Sequence, residues 1–172
     1  MPRKSATEPA RAAKPAPIVS SAHLVSAQSA ELSEFEFGLI VAGNAFHRWV
    51  LHCMSAAGLK DLTPLDVLVL HHVTHRARDK RLADICFIMN IEDTHLVNYA
   101  LKKLQGLGVV ESHKSGKEVT YASTESGQAY VTRYREVRDS GLVQALNADA
   151  SLNRDIGELA RLLRVLSGVY DQ

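Results

Sequence analysis

RLADICFIMNIEDTHLVNYALKKLQGLGVVESHKSGKEVTYAS, residues 81–123, carries two helical periods and then a strand period in succession. From Arg81 to Met89 the apolar residues Leu82, Ile85, Cys86 and Met89 recur at three- and four-residue intervals, the spacing of one helix face. Ile91-Glu92-Asp93 breaks that run as a turn. Asp93 is placed to cap a second helix, because its carboxylate can accept the unpaired N–H groups of a first turn. In that helix Val97, Ala100, Leu101 and Leu104 form the inward stripe, and Gly106 and Gly108 close it. The period then drops to two. Val109–His113 and Glu118–Ala122 flank the tip Lys114-Ser115-Gly116-Lys117, the pattern of a β-hairpin.

Upstream, Thr63-Pro64-Leu65-Asp66 is a helix start: Thr63 caps, Pro64 takes the first position and Asp66 reaches back to the cap. Leu65, Leu68, Val69 and His72 are expected to line one side of that helix. Before it, Ser29 or Ser33 (the latter with Glu36 as a capping box) opens a helix of close to 30 residues ending at Gly58. Its apolar residues Phe35, Leu39, Ala42, Phe46, Trp49, Val50 and Cys53 make a surface wide enough for more than one packing partner. Downstream, Thr124 opens a long helix through Tyr130, Val131, Tyr134, Val137 and Leu142. Residues 155–169 give a last amphipathic helix with Ile156, Leu159, Leu162, Leu163 and Leu166 inward. Four prolines and four basic residues in the first 17 positions mark residues 1–28 as a flexible basic tail. Such a tail is either a solvated leader or an arm that touches phosphate.

A helix-turn-helix followed by a hairpin is a winged helix. The expected fold is therefore mainly α with a small β-hairpin wing. The expected divisions are the tail (1–28), an N-terminal helix (29–60), the winged lobe (61–123) and C-terminal helices (124–172). This arrangement is suited to duplex DNA, with the second helix in the major groove and the hairpin at backbone or minor groove. The inward stripe leaves Thr94, His95, Asn98, Tyr99 and Lys102 to face a groove. Asn can pair bidentately with adenine, and Lys can reach guanine or phosphate. Arg81, Lys103, Lys114 and Lys117 join them as candidate DNA contacts. Between Arg76 and Lys117, eight basic residues outnumber five acidic ones, whereas the whole chain carries a net charge of only +1. Any attraction to phosphate must come from this local excess. A solvated mixed-charge surface is the alternative.

LTPLDVLVLHHV (62–73), RLADICFIMNIEDTHLVNYALKKLQGLGVVE (81–111) and VTYASTESGQAYVTRYREVR (119–138) together resemble a MarR-family regulator. The last piece includes the Thr-Glu-x-Gly helix start at Thr124–Gly127. The sequence departs from many members in its acidic turn, Glu92 and Asp93, and in a wing tip of Lys-Ser-Gly-Lys. The resemblance implies a bacterial, cytoplasmic, nucleoid-associated homodimer built from the flanking helices, with double-stranded DNA as partner. It further implies a repressor modulated by an aromatic or anionic effector held between dimer helices and DNA-binding lobe. Phe46, Arg48, Trp49, His52 and His72 could line such a pocket, although Phe46 and Trp49 also suit plain core.

Other chemistry finds less support. There is no Gly-rich phosphate loop, nucleophile elbow or telling carboxylate pair, so an enzyme is not expected, and no cofactor. His71 and His75 have usable ligand spacing on one helix, but HExxH and CxxC motifs are lacking; no metal is expected. Cys53 and Cys86 read as buried thiols, with a redox switch at Cys53 as the rival. No apolar run approaches a membrane span, and the N-terminus lacks a signal-peptide core. The alternatives kept open are a metal- or redox-responsive regulator of this fold and a winged-helix protein-interaction module.

Overall fold

The structure, a computed structural model, describes residues 29–147 and 150–172. The basic tail expected at 1–28 lies outside the described residues. Helix α1 (Ala30–Ala56) is followed by α2 (Pro64–Thr74), a short 3-10 turn (His75–Ala77), strand β1 (Lys80–Arg81), α3 (Leu82–Met89) and α4 (Thr94–Gly106). Strands β2 (Val110–Ser115) and β3 (Glu118–Ser123) lead into α5 (Glu125–Arg138), a π-helical turn (Asp139–Val143), α6 (Gln144–Asn147) and α7 (Ala150–Tyr170). Up to Ala45 the described chain is the first part of α1, and from Phe46 onward it forms a second compact unit.

That second unit holds the core. Val50, Cys53 and Met54 of α1, Val67, Leu70 and Val73 of α2, Ile85 of α3 and the α4 stripe Val97, Ala100, Leu101, Leu104 are buried together. Val109 and Val110 continue the core into the wing, and Val131 and Tyr134 of α5 close it. The sheet is antiparallel in the order β1-β3-β2, so β3 is central. Lys80 pairs with Tyr121, and His113 faces Thr120 in register. β1 was not expected: two residues cannot display an alternating pattern, and only pairing with β3 makes them a strand.

Local chemistry fixes the helix ends. Thr63 accepts from the Asp66 N–H at 3.2 Å while the Asp66 carboxylate accepts from the Thr63 N–H at 2.7 Å, the expected capping box. Asp93 accepts from the His95 N–H, and Thr124 from the Gly127 N–H. α1, α3 and α4 all end in the same way. A residue with positive φ (Gly58, Asn90, Gly108) is followed by one whose N–H reaches back five residues. These are Leu59 to Met54, Ile91 to Cys86, and Val109 to Leu104, the bonds of a Schellman motif. Asn90 thus sets the bend of the helix-turn-helix. Its short polar side chain tolerates the left-handed region better than most.

Four expectations are corrected. α1 begins at Ala30, directly after Ser29, which leaves Ser33 inside the helix rather than at its cap. α2 is not one-sided: Asp66, Val67, Val69, Leu70 and Val73 are buried, while Leu65, Leu68 and His72 are only half-buried. α2 is central, packed on α3, α4, α5 and β3, so most of its circumference meets protein. The helix from Thr124 does not run unbroken through Leu142, because a π-helical turn intervenes at Asp139–Val143. There Gly141 lies against Trp49, where an added Cβ would come 3.2 Å from the indole. Finally, the α7 stripe expected inward is open within the chain: Ile156, Leu159 and Leu162 are exposed, and Leu163 and Leu166 half-buried.

Candidate nucleic-acid interface

α4 is buried on one side and open on the other. At roughly 100° per residue, burying Val97, Ala100, Leu101 and Leu104 turns His95, Tyr99 and Lys102 directly outward. Tyr99 is 77% exposed, a large aromatic that the core does not use. Thr94 is exposed in the first turn, and Asn98 is half-buried on the flank of the same face. Gln105 also lies on that flank and donates to the Ser112 hydroxyl of β2 at 2.9 Å, tying the end of α4 to the wing. On the opposite flank Leu96 is 52% exposed. Sequence reasoning passed over it, because a leucine in a helical pattern is ordinarily assigned to the core. Only the angle it makes with the buried stripe could have flagged it.

The candidate basic residues separate into two kinds. Lys102, Lys114 and Lys117 are exposed and enter no ion pair among the described residues, and Lys114 and Lys117 flank the hairpin tip. Lys103 instead holds Asp66 at 2.9 Å, so its ammonium completes the cap of α2. The Arg81 guanidinium is shared between Asp84 and Glu118, at 3.1 and 3.4 Å. It joins the start of α3 to β3, and Asp84 is held below the usual carboxylate range by the arginine's hydrogen bonds. Lys80, part of the basic excess counted in the sequence, is buried. Its ammonium donates to the carbonyls of His75 and Arg78 at 2.6 and 2.8 Å, which ties down the loop before β1. Burial lowers its pKa, with Arg78 and Arg76 adding to the effect.

An open hollow of about 440 Å³ on α2 and α3 is lined by Leu68, His71, His72, His75 and Met89, and of the five residues expected to line an effector pocket only His72 belongs to that lining. Trp49 stacks on His52 with ring centroids 5.5 Å apart, and Phe46 is exposed beside His47. Arg48 is exposed on α1. His71 packs edge-on against Tyr134, and burial, followed by Arg135 and Arg138, lowers its pKa to about 4. His72 is lowered by burial, then by Lys80 and His75. The Nε2 atoms of both are buried without a hydrogen-bond partner. Among the described residues no group of three or more His, Cys, Asp or Glu is placed to hold a metal. Burial raises the thiol pKa of Cys53 and of Cys86, the opposite of what an activated thiolate needs. No helix among the described residues is long and apolar enough to cross a membrane.

Comparison with known proteins agrees with this geometry. Residues 62–127 match the family model described as a winged helix DNA-binding domain. No curated protein matches the chain at the level of sequence. Solved structures do match in fold. A MarR family transcriptional regulator from Rhodococcus sp. RHA1 has 15% identity and a TM-score of 0.62, covering 79% of this chain and 95% of its own. A MarR family regulator from Neisseria meningitidis has 18% identity and a TM-score of 0.61, covering 81% and 96%. CouR from Rhodococcus jostii RHA1, solved bound to p-coumaroyl-CoA, has 15% identity and a TM-score of 0.63, covering 82% and 94%. Residues 62–127 fold as a winged helix and match the winged helix DNA-binding family model, and the chain shares the fold of the MarR family regulator structures.

Proposed function

We propose that the protein regulates transcription by binding a specific duplex DNA site as a homodimer, and that it represses until a small molecule weakens that binding. In this reading residues 61–123 contact DNA, and residues 29–60 and 124–172 pair two copies. One observation carries it: α4 presents His95, Asn98, Tyr99 and Lys102 on the side away from its buried stripe, beside a wing bearing two exposed lysines without ion pairs among the described residues. Hydrogen-bonding side chains on a helix suit base edges in the major groove, and flanking cations suit phosphate. Lys103 and Arg81 serve this interface indirectly, through their carboxylate partners.

The effector reading rests on the hollow of Leu68, His71, His72, His75 and Met89. Burial lowers the pKa of His71 to about 4 and lowers that of His72, and Arg135 and Arg138 near His71 supply positive potential. An anionic molecule with an apolar body fits such a site better than a cation does. CouR, similar in fold, was solved with an acyl-CoA bound. The test is selection of bound duplexes from random DNA, with salt titration. The expected result is a twofold-symmetric site with half-sites about one helical turn apart. Enrichment of no sequence at any salt concentration would reject DNA reading and favour a protein-interaction module. Trp49 fluorescence and operator binding against a panel of aromatic acids, with zinc and a chelator in parallel, then separate an organic effector from a metal.

A further inference from the structure

Asp79 stands immediately before β1, at one edge of the three-stranded sheet, yet its carboxylate reaches the far edge. The same oxygen, Oδ2, lies 2.8 Å from Nδ1 of His113 on β2 and accepts from the Thr120 hydroxyl of β3 at 2.9 Å. His113 and Thr120 are direct cross-strand partners, so one carboxylate gathers all three strands at a single register position. The groups facing the imidazole come from every element around it. Asp79 approaches from the loop before β1, Glu111 lies at 3.7 Å on β2, and Thr120 projects from β3. Arg78 lines the same cleft, together with Ser123 and Gln128. Lys80, next to Asp79, is turned into the protein and bonded to carbonyls. The loop carrying Asp79 is therefore anchored on one side by Lys80 and joined to the wing on the other. His113 is followed directly by Lys114, the first exposed wing lysine.

We propose that Asp79 is a positioning residue for DNA binding: through Thr120 and His113 it fixes the wing that presents Lys114 and Lys117, and it does so most tightly while the His113 imidazole is protonated. The proposal rests on the DNA-binding reading above. A proton on His113 turns a hydrogen bond between a neutral ring and an anion into a charge-assisted one, roughly twice as strong. The two carboxylates beside it raise the His113 pKa, Asp79 by its hydrogen bond first and Glu111 last. The Asp79 pKa is correspondingly lowered, chiefly by the His113 and Thr120 hydrogen bonds. A raised folded-state pKa makes the contribution complete below the ordinary histidine value and lost as pH rises through the higher folded-state value. At the acid end it fades only when Asp79 itself takes a proton. Both partners are solvent-exposed, so the effect is modest. Wing-dependent affinity should fall about two- to fivefold as pH rises across the His113 titration, in line with exposed ion pairs.

The experiment uses the full chain with Asp79→Asn and His113→Gln, read in two independent ways. NMR titration of the His113 ring in the free protein should give a midpoint above the ordinary histidine range, which Asp79→Asn lowers. Affinity for duplex DNA between about pH 5.5 and 8.5 should fall with pH in the native chain. It should be flat and weak, at the native high-pH level, in Asp79→Asn and in His113→Gln. A His113 that merely touched phosphate predicts the opposite sign. Removing the Asp79 negative charge would then strengthen DNA binding at every pH, and that outcome overturns the proposal, as does a midpoint unchanged by Asp79→Asn. If the chain binds no DNA, the function reading fails on its own; a ring titration that still responds to Asp79→Asn upholds the clasp and leaves only its use overturned. Unaltered circular dichroism and melting in both variants guard against unfolding, and Thr120→Val, which removes one arm of the clasp without changing charge, should give an intermediate loss at low pH.

Discussion

Gly127 is where a sequence pattern acquires a physical cause. Within Thr124-Glu125-Ser126-Gly127, the Thr124 hydroxyl accepts the Gly127 N–H at 3.1 Å and donates to the Gly108 carbonyl at 2.8 Å. The cap thereby locks the start of α5 onto the turn between α4 and the wing. A Cβ on Gly127 would collide with the backbone carbonyl of Val109, which has no freedom to rotate away. Gly127→Ala should therefore destabilise the fold by about 1–3 kcal/mol or more, the range for overpacking a tight site, measured by denaturant unfolding. A stability equal to that of the native chain would mean that α5 can shift as a unit. Asn98 tests the reading face at the same scale. If it pairs with a base, Asn98→Ala should cost about 1–3 kcal/mol on the selected site and relax preference at a single position. Equal weakening on specific and random duplexes would make it a backbone contact.

At the scale of the element, the wing is set by its base rather than its tip. Gly116 has φ of 61° and closes the hairpin, leaving Lys114 and Lys117 as point charges on an exposed turn. Charges so placed can neutralise phosphate but offer no rigid surface to a base edge. Replacing both lysines with alanine should weaken specific and random duplexes alike and flatten the dependence of log affinity on log salt by about one unit per lost contact. An unaltered salt slope would remove the wing tip from the interface. Rigidity enters lower down, through the Arg81 bridge from Asp84 to Glu118 and through the Gln105–Ser112 bond.

For the whole molecule, the apolar surface left open by one chain is the main clue. α7 exposes Leu152, Ile156, Leu159, Leu162, Val165 and Val169, and the early part of α1 exposes Leu39, Ile40 and Val41. A continuous apolar stripe like that of α7 rarely faces water in a stable monomer. The protein should sediment as a dimer at micromolar concentration, and Leu159→Glu with Leu162→Glu should yield monomers that lose specific DNA binding more than random binding. A native chain that sediments as a monomer and protects a single half-site in footprinting would contradict the dimer.

The sequence alone determined α4, the helix proposed to read DNA, and its surroundings. The α4 stripe, the Asp93 and Thr124 caps, the Thr63–Asp66 box and the hairpin are local features, and capping and periodicity act over three or four residues of contiguous chain. The resemblance carried by those same stretches pointed to the regulator fold. What the tertiary structure decided is where charges and side chains separated in sequence meet. Lys103 with Asp66, Arg81 with Glu118, and Asp79 with His113 are 37, 37 and 34 positions apart. No periodicity encodes such pairings, and they divide the lysines and arginines into those that hold the lobe and those left for a partner. The same holds for the hollow proposed to take an effector. Its histidines are legible as spacing, but the lowered pKa of His71 follows from burial and from the arginines of α5, which only packing brings near.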